Sequence, residues 1–250
     1  MFLNQFTEAR RIFEYDYIYI DAIFLLVWLA VLLWHKRYRA LLFSFVIAPI
    51  IYSIDALWWW NKSAGTNYPE GTFIREYWIG GTQVPHPTGE FLWIKFGADF
   101  MMTISYALFA FSWIWIMFDS LRNKNWRAIL GYTGLYLGIW LIIPLLSNIT
   151  HINDTIVETV RHMDSQMIFW IINAVIGYGI LFCVYRHNLK LIGQIFIIGI
   201  SASLIMELPL YLAGIRPTGI SFLFFETIFL LNQGVPYLFL VWDKVLQKQS

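Results

Sequence analysis

Six carboxylates sit inside, or at the rim of, long apolar runs: Asp21, Asp55, Glu90, Asp99, Glu207 and Glu226. An ionisable side chain is expensive in hydrocarbon, so each is a candidate functional group by default. Asp55 leads into Trp58-Trp59-Trp60, Glu207 is followed by Pro209, and Glu226 precedes Asn232, Gln233 and Pro236. Asp55, Glu207 and Glu226 have no Lys or Arg within four residues on their own helices. A protonated carboxyl beside an ionised one is the arrangement that proton-transfer chemistry needs. Asp55, Glu207, Glu226 and Glu90 are therefore the expected catalytic acids. Glu226 or Asp55 donates the proton, and Glu207 or Glu90 takes one back. Lys95 and Asp99 stand one turn apart, the spacing of a salt bridge along a helix. That pair serves either as a neutralised structural link or as part of a binding site. For Asp21 and Glu90, solvation at a membrane interface is the plainer account.

The chain is 19% aromatic, with 13 Trp, 14 Tyr and 21 Phe. Aromatic faces attract desolvated cations by roughly 0.5–2 kcal/mol each, so a dry aromatic pocket can shield a carbocation. Trp58, Trp59, Trp93 and Tyr211 are the expected walls of such a pocket. Lys95, Asp99, Asn232 and Gln233 are the expected polar contacts to a substrate. Simple filling of a membrane core and its interfacial belts accounts for the same aromatics without any site.

The elements that must hold these groups are membrane helices. Of 250 residues, 59% are apolar and 13% charged, too few charges to wet the surface of a soluble domain. Apolar runs long enough to span a bilayer lie near 17–34, 40–60, 91–118, 127–147, 165–185, 190–213 and 220–242. The expected fold is an all-α integral membrane protein of seven spans in one polytopic domain, 1–250, of a prokaryotic plasma membrane. The first run carries Tyr15-Asp16-Tyr17 at its front and no small-residue cleavage site, which argues against a signal peptide. Lys36, Arg37, Arg39, Arg122, Lys124, Arg127, Arg186, Lys190, Lys244 and Lys248 all fall on one side. By the positive-inside rule the N-terminus is outside and the C-terminus cytoplasmic. The acids then gather in the outer half of the spans, as one polar cavity there requires. Two outer segments are long: 61–90 is rich in turn residues, and 148–163 reads as a short amphipathic or helical cap.

Other chemistries find less support. A net charge of +1 without a basic stripe excludes nucleic acid as an expected partner. Cys183 is a lone cysteine in an apolar run, so neither a disulfide framework nor a thiolate metal site is expected. His35, His86, His151, His162 and His187 lie in loops or at helix ends without metal-ligand spacing; His86, between Pro85 and Pro87, is the one of interest. A retinal photoreceptor needs a lysine midway along the last span, and Lys244 lies at its end.

The order of features repeats. A basic turn, Lys36-Arg37-Tyr38-Arg39, precedes the helix of Asp55, and Arg186-His187-Asn188-Leu189-Lys190 precedes that of Glu207. Each acid is followed by a loop and a glutamate opening the next span, Glu90-Phe91-Leu92-Trp93-Ile94 and Glu226-Thr227-Ile228-Phe229-Leu230. Two parallel three-helix repeats follow, about 15–118 and about 164–243, joined by a linker helix near 127–147 and related by an axis normal to the membrane.

Ile54-Asp55-Ala56-Leu57-Trp58-Trp59-Trp60, Val84-Pro85-His86-Pro87-Thr88-Gly89-Glu90-Phe91-Leu92-Trp93 and Phe224-Phe225-Glu226-Thr227-Ile228-Phe229 together resemble the integral-membrane lycopene cyclases. Those enzymes repeat a three-helix unit with an acid late in its second helix and a Pro-x-Glu-Glu motif before its third. More distantly, the chain resembles the seven-helix terpene cyclases of fungal meroterpenoid pathways. Here neither half has the double glutamate, and the second has no proline before Glu226. The resemblance implies an intramembrane cyclase or isomerase of an isoprenoid or similar apolar lipid, working by proton-initiated carbocation chemistry without a metal or redox cofactor. The bilayer and an isoprenoid-like substrate are then its partners. A transporter or lipid-binding protein with an outward polar cavity fits the repeats and membrane prolines equally well.

Overall fold

The computed structural model describes residues 8–247; Lys248 lies outside them. Six helices are long and apolar enough to cross a membrane: α1 (Asp16–Trp34), α2 (Tyr38–Asn61), α3 (Gly89–Arg122), α4 (Trp126–Ser147), α5 (Asp164–Tyr185) and α6 (Leu189–Leu212). The protein is an integral, multi-pass membrane protein. The last apolar run is divided into α7 (Ile220–Phe229) and α8 (Val235–Gln247). Gly234 and Pro236 explain the break, since proline is tolerated in a first helical turn but not in a helix interior.

Two helices widen locally. Ser53–Trp58 in α2 and Phe100–Ser105 in α3 run as π-helical turns. Such turns insert an extra residue and are common beside functional sites. The first holds Asp55 and follows Pro49, which withdraws a backbone donor from α2. The second begins directly after Asp99.

The fold is not all-α. A four-stranded antiparallel sheet caps one end of the helical bundle, in the order β1 (Glu8–Glu14), β4 (Ile156–His162), β2 (Arg75–Ile79), β3 (Thr82–Gln83). The segment 148–163, expected as an amphipathic or helical cap, thus supplies the inner strand β4. The pattern Ile156-Val157-Glu158-Thr159-Val160-Arg161-His162 fixes neither period, and the β-branched Ile156, Val157, Thr159 and Val160 favour the strand. The long segment 61–90 supplies the β2–β3 hairpin. Gly80 and Gly81 close it with φ of 58° and 81°, as a two-residue primed turn demands.

Strand register arranges the bundle-facing side of the sheet. Arg161 lies between Ala9 and Arg75, Thr159 between Arg11 and Tyr77, and Val157 between Phe13 and Ile79. All nine are buried. Because alternate residues share a face, the sheet turns three arginines, Arg11, Arg75 and Arg161, toward the helices. Arg75 and Arg161 are direct cross-strand neighbours, an unfavourable like-charge pair unless something lies between them.

Of the six spans α3 is the most buried, packing against α2, α4, α6 and α8. Asp21 on α1 faces this core at 1% exposure, so interfacial solvation does not explain it. Close packing is tightest where α6 passes the α7–α8 break: a Cβ on Gly199 would lie 2.1 Å from Asn232 Oδ1. Asn232 cannot yield cheaply. Its Oδ1 accepts from Tyr178 Oη at 2.5 Å and its Nδ2 donates to the Ile228 carbonyl at 2.7 Å. Gly199→Ala is expected to cost about 1–3 kcal/mol of stability, as overpacking does. Thermal unfolding in detergent micelles measures it, and an unchanged transition would mean that the break repacks freely.

Candidate functional site

The membrane acids meet the sheet. Asp55 Oδ2 accepts from Arg75 Nη1 at 2.6 Å and from Arg161 Nη2 at 2.8 Å. One carboxylate therefore separates the two opposed arginines of β2 and β4. Its other oxygen accepts from Gln166 Nε2 at 3.2 Å. Arg75 reaches on to Asp99 at 3.3 Å, and Asp99 also holds Lys95 at 2.6 Å and the Tyr77 hydroxyl. A second chain of ion pairs lies across the bundle. Glu207 binds Arg11 at 2.9 Å through Oε1 and Arg216 at 2.6 Å through Oε2. Arg216 also pairs with Glu226.

Asp55, Glu207 and Glu226, without a cation on their own helices, are thus neutralised by arginines from strands and a loop. Burial works against the charge of Arg11 and Arg75, but Glu207, Tyr106, Glu226 and Tyr17 around the first, and Asp55, Tyr77 and Asp99 around the second, together outweigh it and hold both guanidinium groups above their ordinary values.

Beneath this ionic layer lies a cavity of about 550 Å³, within the usual range of ligand pockets. Arg11, Arg161, Gln166, Asp55, Glu207 and Tyr106 form its polar end. Most of the rest is apolar, including Phe43, Ile47 and Ile51 from α2, Phe111 from α3, Phe169 and Trp170 from α5, and Leu238 from α8. Val46 and Ile50 on α2 and Val241 on α8 also line it, yet each is more than 40% exposed on the flank of the bundle. The cavity accordingly opens sideways between α2 and α8, into the space that lipid chains occupy. The sheet covers the end of the bundle where the acids gather.

Of the residues expected at a site, the cavity collects Asp55, Glu207, Trp59 and Gln233. Glu226 is buried behind Glu207, linked to it through Arg216. Glu90 is exposed on a 3-10 turn, and Trp93 is 75% exposed. Trp58 is half-exposed and stacks on Trp59 with centroids 5.4 Å apart. Tyr211 is half-buried away from the lining, and Asn232 is committed to Tyr178. Lys95 and Asp99 lie outside the cavity, with the Lys95 ammonium 4.2 Å above the Trp60 ring. His86 stacks between Trp60 and Phe73, centroids 3.8 and 3.9 Å away; burial and Lys95 lower its pKa.

Sequence reasoning missed Arg11, Arg161, Gln166 and Tyr106 as site residues. The arginines had one signal: Arg11, Arg75, Arg161 and Arg216 lie outside the apolar runs, enough for the three acids, Asp55, Glu207 and Glu226, that have no cation on their own helices. On the surface, Glu14, His151 and Asp154 bring three possible metal ligands within 4.8 Å of one another. His151 and Asp154 are exposed and already hydrogen-bonded at 3.1 Å, and none of the three lines the cavity. Compared with protein-family models, curated proteins and solved structures, the chain matches none, so the site rests on its own geometry.

Proposed function

We propose that the protein is an intramembrane enzyme that cyclises or isomerises an isoprenoid or similarly apolar lipid by proton transfer. The observation that carries this reading is the laterally open apolar cavity with carboxylates of two helices, Asp55 and Glu207, at its closed end. A lipid enters such a cavity without leaving the bilayer. Glu207 and Glu226 share Arg216 and so act as one coupled pair. In this reading the pair holds the initiating proton, and Glu207 presents it to a substrate alkene. The cation that forms is shielded by Trp59, Phe169 and Trp170, and Asp55 accepts the closing proton. One proton enters and one leaves, so product and substrate have equal mass.

The same reading takes α7 and α8 together as a broken seventh span, with the sheet outside and the C-terminus in the cytoplasm. Two parallel repeats are supported by the ion pairs: Asp55–Arg75–Asp99 in one half answers Glu207–Arg216–Glu226 in the other. Asp99, not Glu90, is then the counterpart of Glu226.

The test is to incubate the purified protein in nanodiscs with lycopene, geranylgeranyl compounds and prenylated quinones, and to follow products by mass spectrometry. A product of unchanged mass and altered retention is expected. If no lipid is converted while one stays bound, catalysis is abandoned. A lipid-binding or transport protein, which the break between α7 and α8 in the cavity wall also suits, then takes its place.

A further inference from the structure

The polar end of the cavity is chemically incomplete. Arg11 and Gln166 are 6% and 2% exposed, and both line the cavity. Arg11 commits Nη2 to Glu207, while its Nη1 has no hydrogen-bond partner. Gln166 commits Nε2 to Asp55, while its Oε1 has none. A buried donor and a buried acceptor are each costly to leave open. One cavity here has both.

The charges are incomplete in the same place. The two chains of ion pairs join five cations, Arg11, Arg75, Lys95, Arg161 and Arg216, to the carboxylates of Asp55, Asp99, Glu207 and Glu226. With all four carboxylates ionised, before the Glu207–Glu226 pair takes up any proton, one positive charge is left over. Arg161 bears much of the strain: burial, with Arg75 and Arg11 close by and Asp55 opposing them, pushes its guanidinium down to about 10.

We propose that this end of the cavity binds a hydroxyl-bearing monoanionic headgroup, of which an acid phosphate monoester is the simplest, on a lipid whose chain fills the apolar part. An alcohol satisfies Arg11 and Gln166 but not the extra charge. A carboxylate satisfies the charge and Arg11 but gives nothing to Gln166 Oε1. Water completes the hydrogen bonds and carries no charge. A phosphate monoester with one proton supplies the acceptors, the donor and the single negative charge together. The inference rests on the cavity being a lipid site, as proposed above, and on no particular reaction.

The test measures binding of farnesyl monophosphate, farnesol and inorganic phosphate to the full chain in phosphatidylcholine nanodiscs. Farnesyl monophosphate is expected to bind roughly tenfold tighter than farnesol or more, the worth of one charge-assisted hydrogen bond. Inorganic phosphate is expected not to displace it. Gln166→Glu, which cancels the spare charge, removes that preference. Arg11→Lys keeps the charge toward Glu207 but loses the forked donor, and reduces the preference too. If farnesol binds as well as its phosphate, or the preference survives both variants, the headgroup inference falls and the lipid cavity stands. If inorganic phosphate binds as tightly as the lipid, the site holds a free anion and the inference falls. If neither lipid binds, both readings fall together.

Discussion

Replacing Arg216 with methionine is expected to lower the stability of the folded protein by about 3–5 kcal/mol, the cost of orphaning a buried charge partner. Arg216, Glu207 and Glu226 are each 1% exposed or less, so water cannot take over the lost contacts. Glu207 keeps Arg11, but Glu226 keeps no cation among the described residues. Adding Glu226→Gln to the variant is therefore expected to restore part of the loss, because it removes the orphaned charge. Unfolding in detergent, followed by tryptophan fluorescence, measures both changes. Equal stability of the wild type and Arg216→Met would mean that the loop after α6 is held by packing alone.

Asp55→Asn is expected to slow conversion of the lipid substrate by roughly 10²–10⁴-fold, the usual contribution of a general base. Asparagine keeps the shape and can still accept from Arg75 or Arg161, but it cannot take up the closing proton. It also leaves two opposed guanidinium groups of β2 and β4 without a negative charge between them. Some loss of stability is expected alongside, so turnover is compared per folded, lipid-loaded molecule. A variant that binds lipid and turns it over at the normal rate removes Asp55 from the mechanism.

The helices were legible because the bilayer imposes a length and a composition on each span independently. The run 127–147 needs no knowledge of any other segment to be recognised as α4, Trp126–Ser147. The Lys95–Asp99 bridge was legible for a similar reason: its partners are four residues apart on one helix. The sheet was not. The seven residues of β4 are too short for periodicity to separate strand from helix, and β1 lies some 150 positions away in the chain. The partners of the acids were hidden by the same distance. Arg75 reaches Asp55 across 20 residues, Arg161 reaches it across 106, and Arg11 reaches Glu207 across 196. An acid with no cation nearby in sequence therefore looked unpaired. The sideways mouth depends on how helices far apart in the chain are spaced, and no single segment carries that information.

The position of β1 in the chain sets a timetable for assembly. Glu8 pairs with His162 and Glu14 with Ile156. At translation rates of about 5–20 residues per second, β1 waits on the order of 7–30 s before its partner has been made. Arg11 waits longer still, since Glu207 belongs to α6. Through that interval the nascent protein carries an open strand edge and uncompensated charges, the features that attract misassociation and quality-control proteases. A ribosome that stalls after α4 leaves a product in this state however well its first helices have inserted. The cap is thus a late clasp, and its closure marks the moment at which the two halves of the chain become one molecule.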